Sequence, residues 1–234
     1  MDRTFIIKMG GSLLFEKNAV RIDRLNKLAY IFQNSKSIKG IVIGGGAIAR
    51  IYIKAARELG VNESSCDMMG IDISRVNCRL LLGAIGQQAY PKPAHNLEQA
   101  LEYATSRKIV IMGGITPGQS TTSVTFELAE ALNATDVLIL TDVDGVYNKD
   151  PKKHKDAVKY EKLTTDQIES LFISSGSDTQ SAAGEYRIMD AISLQIFKRS
   201  KLHVQLLSGE DDKALEDILI HNSTNIYGTQ FIKT

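Results

Sequence analysis

A lysine at the mouth of a glycine turn, with two further glycine turns downstream, supplies the residue types and spacing in this 234-residue chain that could do chemistry. The turns are Gly10-Gly11-Ser12, Gly44-Gly45-Gly46 and Gly113-Gly114, the last continuing into Pro117-Gly118-Gln119-Ser120-Thr121, and each follows a short apolar run. Backbone without Cβ atoms admits an anion closely, and the N–H groups that open a helix add about half a unit of positive charge. Three such turns in one chain point to two phosphorylated ligands that meet. Lys8, in Phe5-Ile6-Ile7-Lys8-Met9, could span two phosphate groups, and phosphoryl transfer asks a protein mainly to position substrates and neutralise charge on the migrating group. Standing alone, Lys8 would read as a strand-end side chain carrying its charge to water. Beside Gly10 and Gly11 the functional reading is the stronger.

In the second turn Arg50 lies one helical turn beyond the triplet, where a planar guanidinium could clamp the anion held by the backbone; an exposed helix arginine is the plainer alternative. Asp67 stands near the start of a long helical pattern with a stripe of Met69, Ile73, Val76 and Leu80. Two roles remain open for it: capping that helix, which composition favours, or accepting hydrogen bonds from a ribose diol. The third turn, Ile115-Thr116-Pro117-Gly118-Gln119-Ser120-Thr121-Thr122, mixes backbone donors with hydroxyls and an amide that can donate and accept, as recognition of a pyrimidine edge requires. A Ser or Thr helix cap explains part of that segment and leaves the paired glycines unexplained.

The elements that must position these residues alternate. Apolar β-type runs cover residues 4–8, 38–43, 109–112, 137–141 and 203–207, and helical patterns cover 22–32, 47–59, 68–89, 97–104, 124–132, 166–172, 189–199 and 214–220. That alternation predicts an α/β fold, a three-layer αβα sandwich with a mostly parallel central sheet, with the glycine turns at the carboxyl ends of its strands. Asp144-Gly145, between Val143 and Val146, predicts a tight hairpin turn; the charged stretch 149–162 reads as a surface loop and 174–181 as a second loop, a mobile segment or a solvated turn. The 43% apolar content supports a sizeable core within a single domain. A net charge of +1, from 28 basic and 27 acidic residues, gives no global field for nucleic acid or an anionic membrane, so phosphate binding must be local. Cys66 and Cys78 match neither a redox pair nor a zinc knuckle, and the four histidines have no metal-ligand spacing, so no protein metal site is expected. No apolar stretch suits a signal peptide or a membrane span, which predicts a soluble, cytoplasmic protein.

The string TDVDGVYNKDP at 141–151 resembles the nucleotide-binding segment of the amino acid kinase superfamily. Together with IIKMGGSLL, VIGGGAIAR, DMMGIDISRVN and MGGITPGQST, in that order and spacing, nearly the whole chain is similar to the archaeal-type uridylate kinases. The resemblance implies transfer of the γ-phosphoryl group of ATP to UMP in pyrimidine nucleotide biosynthesis, with Mg²⁺ bound mainly through the ATP phosphates. It implies an acceptor part at about 1–133 and an ATP part at about 134–234. It places ATP at Gly11, Ser12, Gly46, Arg50, Thr141, Tyr147 and Asp150, and UMP at Gly45, Asp67, Ile115, Thr116, Pro117, Gly118, Gln119, Ser120 and Thr121. Lys8 matches the charge-stabilising lysine, and Asp67 passes from cap to substrate ligand. Asp190 resembles a helix-start aspartate and is expected to be structural. Relatives form homohexamers built from dimers, and UTP feedback follows from the same likeness.

One departure stands out: many relatives carry an aspartate where this chain has Thr122. The nearest competing readings are a sister kinase acting on a small carboxylate or on isopentenyl phosphate, and a non-catalytic nucleotide-binding protein of the same fold. Isopentenyl phosphate kinases use a histidine beside their glycine turns, and none of the four here lies there.

Overall fold

The computed structural model describes residues 3–16, 19–149, 151, 153–174 and 189–234. Seven strands form one sheet: β1 (Phe5–Met9), β4 (Ile38–Ile43), β5 (Val110–Met112), β6 (Asp136–Thr141), β9 (Lys162–Thr164), β10 (His203–Ser208) and β11 (Thr229–Ile232). Two small ribbons, β2 (Phe15–Glu16) with β3 (Ala19–Val20) and β7 (Val146–Tyr147) with β8 (Lys159–Tyr160), stand apart. The order across the sheet is β5-β4-β1-β6-β10-β11-β9, all neighbours being parallel except β10 and β11.

The helices are α1 (Ile22–Asn34), α2 (Gly46–Glu58), α3 (Glu63–Ile85), α4 (Leu97–Ala104), α5 (Thr121–Ala131), α6 (Thr165–Ser174), α7 (Ala191–Arg199) and α8 (Asp212–Leu219). Strand alternation sorts the core in two. Phe5, Ile7, Met9, Ile41 and Leu138 face α1, α3 and α8 through Leu28, Leu81 and Leu215. Ile6, Val42, Val137 and Ile139 face α5 and α7 through Phe126, Leu128 and Phe197. Both faces of the central strands are apolar, as expected for a parallel sheet covered on each side, and the three-layer architecture is the expected one. In the third cluster α2 packs on α3 through Ala49, Ile53, Ala56 and Cys66.

Several sequence expectations change. Asp144-Gly145 does not turn a hairpin onto Val143: β7 pairs instead with β8, twelve or more positions on, and a Cβ on Gly145 would fall 2.6 Å from Lys159 Cδ and 2.9 Å from Thr229 Oγ1. Glycine is needed there for close approach, not for a two-residue turn. The long helix starts at Glu63, with Asn62 as its cap accepting from the Ser65 N–H at 2.9 Å, so Asp67 lies in the second turn and caps nothing. Val76 is 59% exposed; the buried line of α3 is Cys66, Ile71, Ser74, Asn77, Cys78, Leu81 and Ile85. The loop expected at 174–181 lies, beyond Ser174 itself, outside the described residues, as does Asp150.

Candidate active site

Four adjacent strands end at one edge, and their order fixes the order of the turns that follow them. Reading β5-β4-β1-β6 across the sheet places Gly113-Gly114, then Gly44-Gly45-Gly46, then Gly10-Gly11-Ser12, then Thr141 and Asp142. The strand ladders continue into this edge: the Gly44 N–H donates to the Met9 carbonyl at 3.0 Å, and the Gly10 N–H to the Leu140 carbonyl at 2.9 Å.

The first two turns are in backbone contact. A Cβ on Gly11 would sit 2.4 Å from Gly46 N and 2.5 Å from the Gly44 carbonyl oxygen, and Gly46 has φ of +67°, a left-handed conformation that suits glycine. Between them, the N–H groups of Gly11, Ser12 and Gly46 make no hydrogen bond among the described residues. Converging, unspent donors at a helix start can receive an anion. Arg50 projects from the start of the second turn of α2 into solvent and forms no ion pair among the described residues.

Lys8 is on the α5 face of β1, between Val42 of β4 and Ile139 of β6, and is 5% exposed. Burial lowers its ammonium from 10.5 to about 8, and the negative charge of Asp142 just beyond β6 works the other way. A lysine this desolvated exerts its field through little water, which strengthens it toward a neighbouring phosphate.

Long-helix side chains back the second and third turns. Asn77 donates from Nδ2 to the Gly44 carbonyl at 2.9 Å and the Gly45 carbonyl at 3.3 Å. Ser74 Oγ accepts from the Gly114 N–H at 2.8 Å while donating to the Ile71 carbonyl at 2.6 Å. Asp67, half-buried, accepts from the Gly118 N–H at 2.7 Å. Ser74 and Asn77 are absent from the sequence reading. Their signal is spacing: positions 67, 74 and 77 fall on one face of α3, polar residues along a largely apolar line.

The paired glycines of the third turn have a packing cause. A Cβ on Gly113 would lie 2.3 Å from Ser74 Oγ, and one on Gly114 would lie 2.8 Å from Ile71 Cγ1. These two glycines let α3 press against the turn. The chain then makes a Pro117-Gly118 turn, with Gly118 at φ +80° and the Gln119 N–H donating to the Thr116 carbonyl at 3.2 Å, before Ser120 caps α5 by accepting from the Ser123 N–H at 3.1 Å. Thr116 and Gly118 are exposed, and Ile115, Pro117, Gln119, Ser120 and Thr121 are half-buried. Thr121 Oγ1 would lie 3.5 Å from a Cβ on Gly44, which ties the third turn to the second. Thr122 is 3% exposed in the first turn of α5.

Asp190 is structural, and more connected than its sequence suggests. It caps α7 in a reciprocal box with Ser193, at 2.8 and 2.9 Å, and also accepts from the Ser120 N–H at 3.3 Å and from Ser123 Oγ. Burial alone would raise its carboxyl, but the donors Ser120, Ser123 and Ser193 hold it below the usual carboxylate range. At the far end of the edge, Thr141 is buried and donates to Asp142 Oδ1 at 3.2 Å. Tyr147 donates to Asp144 Oδ1 at 2.6 Å, and Lys159 Nζ to Asp144 Oδ2 at 3.0 Å. The Tyr147 hydroxyl proton is thus committed, and its half-exposed ring and the acceptor side of that hydroxyl are left to meet a ligand. Both cysteines are buried and unpaired with each other, and burial pushes the Cys78 thiol up to about 12, which leaves it inert. Among the described residues no three His, Cys, Asp or Glu side chains converge as metal ligands, and no helix is long and apolar enough to cross a membrane.

With this geometry the chain matches the model of the amino acid kinase family over residues 3–208. It is 39% identical over 211 residues to the uridylate kinase of Methanobrevibacter smithii, covering 90% of this chain and 92% of that one. It is 38% identical over 223 residues to the uridylate kinase of Methanoregula boonei, covering 93% and 92%. Its fold superposes on the crystal structure of uridylate kinase from Archaeoglobus fulgidus with a TM-score of 0.79, at 30% identity, over 98% of this chain and all of that one.

Proposed function

The chain belongs to the amino acid kinase family, and on that premise we propose that it is a uridylate kinase, transferring the γ-phosphoryl group of ATP to UMP. The observation that carries this reading is the order of the four turns along one sheet edge, with Lys8 beneath the middle pair. UMP lies on the β5 side, at Gly45, Asp67 and the Ile115-to-Thr121 turn. ATP enters from the β6 side, with its nucleoside at Thr141, Tyr147 and Asp150 and its phosphates at the middle pair of turns, at Gly11, Ser12, Gly46 and Arg50. The division the resemblance implies, an acceptor part at about 1–133 and an ATP part at about 134–234, then holds for UMP and for the adenosine end of ATP, while the ATP phosphates reach into the first part.

In the reaction a UMP phosphate oxygen attacks the γ-phosphorus, the new P–O bond forms, and the bond to the β,γ-bridging oxygen breaks, releasing ADP and leaving UDP. The acceptor is already ionised near neutral pH, so no general base is required. Lys8 stabilises charge on the migrating group from its desolvated position, and the N–H groups of Gly11, Ser12 and Gly46, which make no hydrogen bond among the described residues, orient the phosphates. The donor set suits Mg²⁺ carried by the nucleotide: with no protein cage among the described residues, its oxygens would come mainly from phosphates and water. Bound there, Mg²⁺ supplies further charge neutralisation.

The enzyme is cytoplasmic, serves pyrimidine nucleotide synthesis, and assembles as a homohexamer, a trimer of dimers, open to UTP feedback. Ile51 and Tyr52 on α2 and Met68 and Val76 on α3, between 43% and 59% exposed, give apolar surface for self-association, which light scattering would detect. A coupled ADP-release assay across UMP, CMP, dUMP, carbamate, acetylglutamate and isopentenyl phosphate tests the activity. Turnover with UMP no greater than without acceptor would end the uridylate kinase reading.

A further inference from the structure

Gln119 and Glu127 form a pair whose orientation is set by chemistry. Gln119 Nε2 lies 2.6 Å from Glu127 Oε1, and both residues are half-buried. A carboxylate only accepts, so the amide must give its NH₂ to Glu127 and turn its carbonyl oxygen away. That oxygen has no hydrogen-bond partner among the described residues.

Two limits follow for a ligand held by the third turn. A carbonyl oxygen backed by a carboxylate repels phosphate, so this part of the turn meets the uncharged end of a nucleotide. The same oxygen asks for a donor. Uracil has an N–H at ring position 3, where cytosine has a lone pair. A glutamine with no fixed partner could rotate its amide and satisfy either base.

We infer that Glu127 is a positioning residue that locks Gln119 as an acceptor for the N3–H of uracil, and so sets a preference for UMP over CMP. This rests on the assignment of the third turn to UMP. Cytosine in the same pose brings its N3 lone pair against Gln119 Oε1, and a site built around one hydrogen-bond polarity rejects the opposite one strongly.

The test uses Glu127→Gln and Gln119→Leu. UMP and CMP binding is measured by titration calorimetry, with KM and kcat for each acceptor, KM for ATP and the thermal midpoint. In Glu127→Gln the new amide can accept from Gln119 or donate to it, so both orientations become available. The ratio of UMP to CMP affinity should fall about tenfold, with the change in acceptor KM rather than in kcat. Gln119→Leu should lose the preference as well. A ratio within about twofold of wild type in Glu127→Gln, or a loss shared by kcat, KM for ATP and the thermal midpoint, would overturn the inference while UMP turnover persists. Wild-type protein that neither binds nor phosphorylates UMP would overturn the uridylate kinase assignment, and this inference with it.

Discussion

The buried ammonium of Lys8 gives the activity an alkaline limit that can be worked out from the structure. Burial moves its pKa from 10.5 to about 8, a difference of about 3 kcal/mol against carrying the charge in the ligand-free site. Only the protonated form can neutralise a migrating phosphoryl group, so kcat/KM, which reports the free enzyme, should bend downward near pH 8 and fall about tenfold by pH 9. Stability moves the other way. The unfolded chain holds its proton up to 10.5, so between about 8 and 10.5 the unfolded state binds more protons and folding stability rises with pH, whereas below about 8 the burial cost is fully present. Asp142→Asn removes the charge that favours the protonated form and should shift the kinetic limb to lower pH. Lys8→Arg keeps its charge throughout and should lose the limb, at reduced kcat. Lys8→Ala should lower kcat by about two to three orders of magnitude with little change in UMP affinity. The assay is the coupled ADP-release rate between pH 6 and pH 10, with calorimetric binding of UMP alongside. A wild-type profile flat to pH 10, or the same limb in Lys8→Arg, would exclude Lys8 as the group whose deprotonation limits the rate.

Two further substitutions test the frame around that lysine. Gly11→Ala would drive a Cβ to 2.4 Å from Gly46 N, so the first two turns must part; expected outcomes are a loss of about 2 kcal/mol or more in denaturant unfolding and near-complete loss of nucleotide binding by calorimetry. Asp67→Asn keeps an oxygen for the Gly118 N–H but removes the charge, and should chiefly raise KM for UMP; an unchanged KM would confine Asp67 to holding the third turn.

The central strands and the turns after them are legible because a buried parallel strand is a continuous apolar run and its glycines interrupt the pattern sharply. β9 and β11 are not: Lys162–Thr164 and Thr229–Ile232 are short, half polar and paired at the far side of the sheet, so their strand state comes from neighbours and not from local composition. The start of α3 was missed because Asn62, a good cap, precedes a polar first turn, Glu63-Ser64-Ser65, that carries no apolar period. Asp67 shows the converse limit. Its proximity to the third turn depends on α3 packing against Gly113 and Gly114 through Ser74 and Ile71, a contact between segments about forty positions apart that no local pattern encodes. Likewise, nothing local announces that Gln119 will meet Glu127 or that Ser120 and Ser123 will meet Asp190.

The strand that carries Lys8 is made before both of the strands it lies between. β1 pairs on one side with β4 and on the other with β6, Phe5 opposite Asp136 and Met9 opposite Leu140. The second of these pairings closes a very long loop, the kind of contact whose entropy cost slows folding. A nascent chain therefore holds its reactive side chain without the wall formed by Ile139 until residues 136–141 have been made and have docked. Recovery of activity during refolding then marks completion of the middle of the sheet, whereas helix formation alone leaves the lysine without its setting.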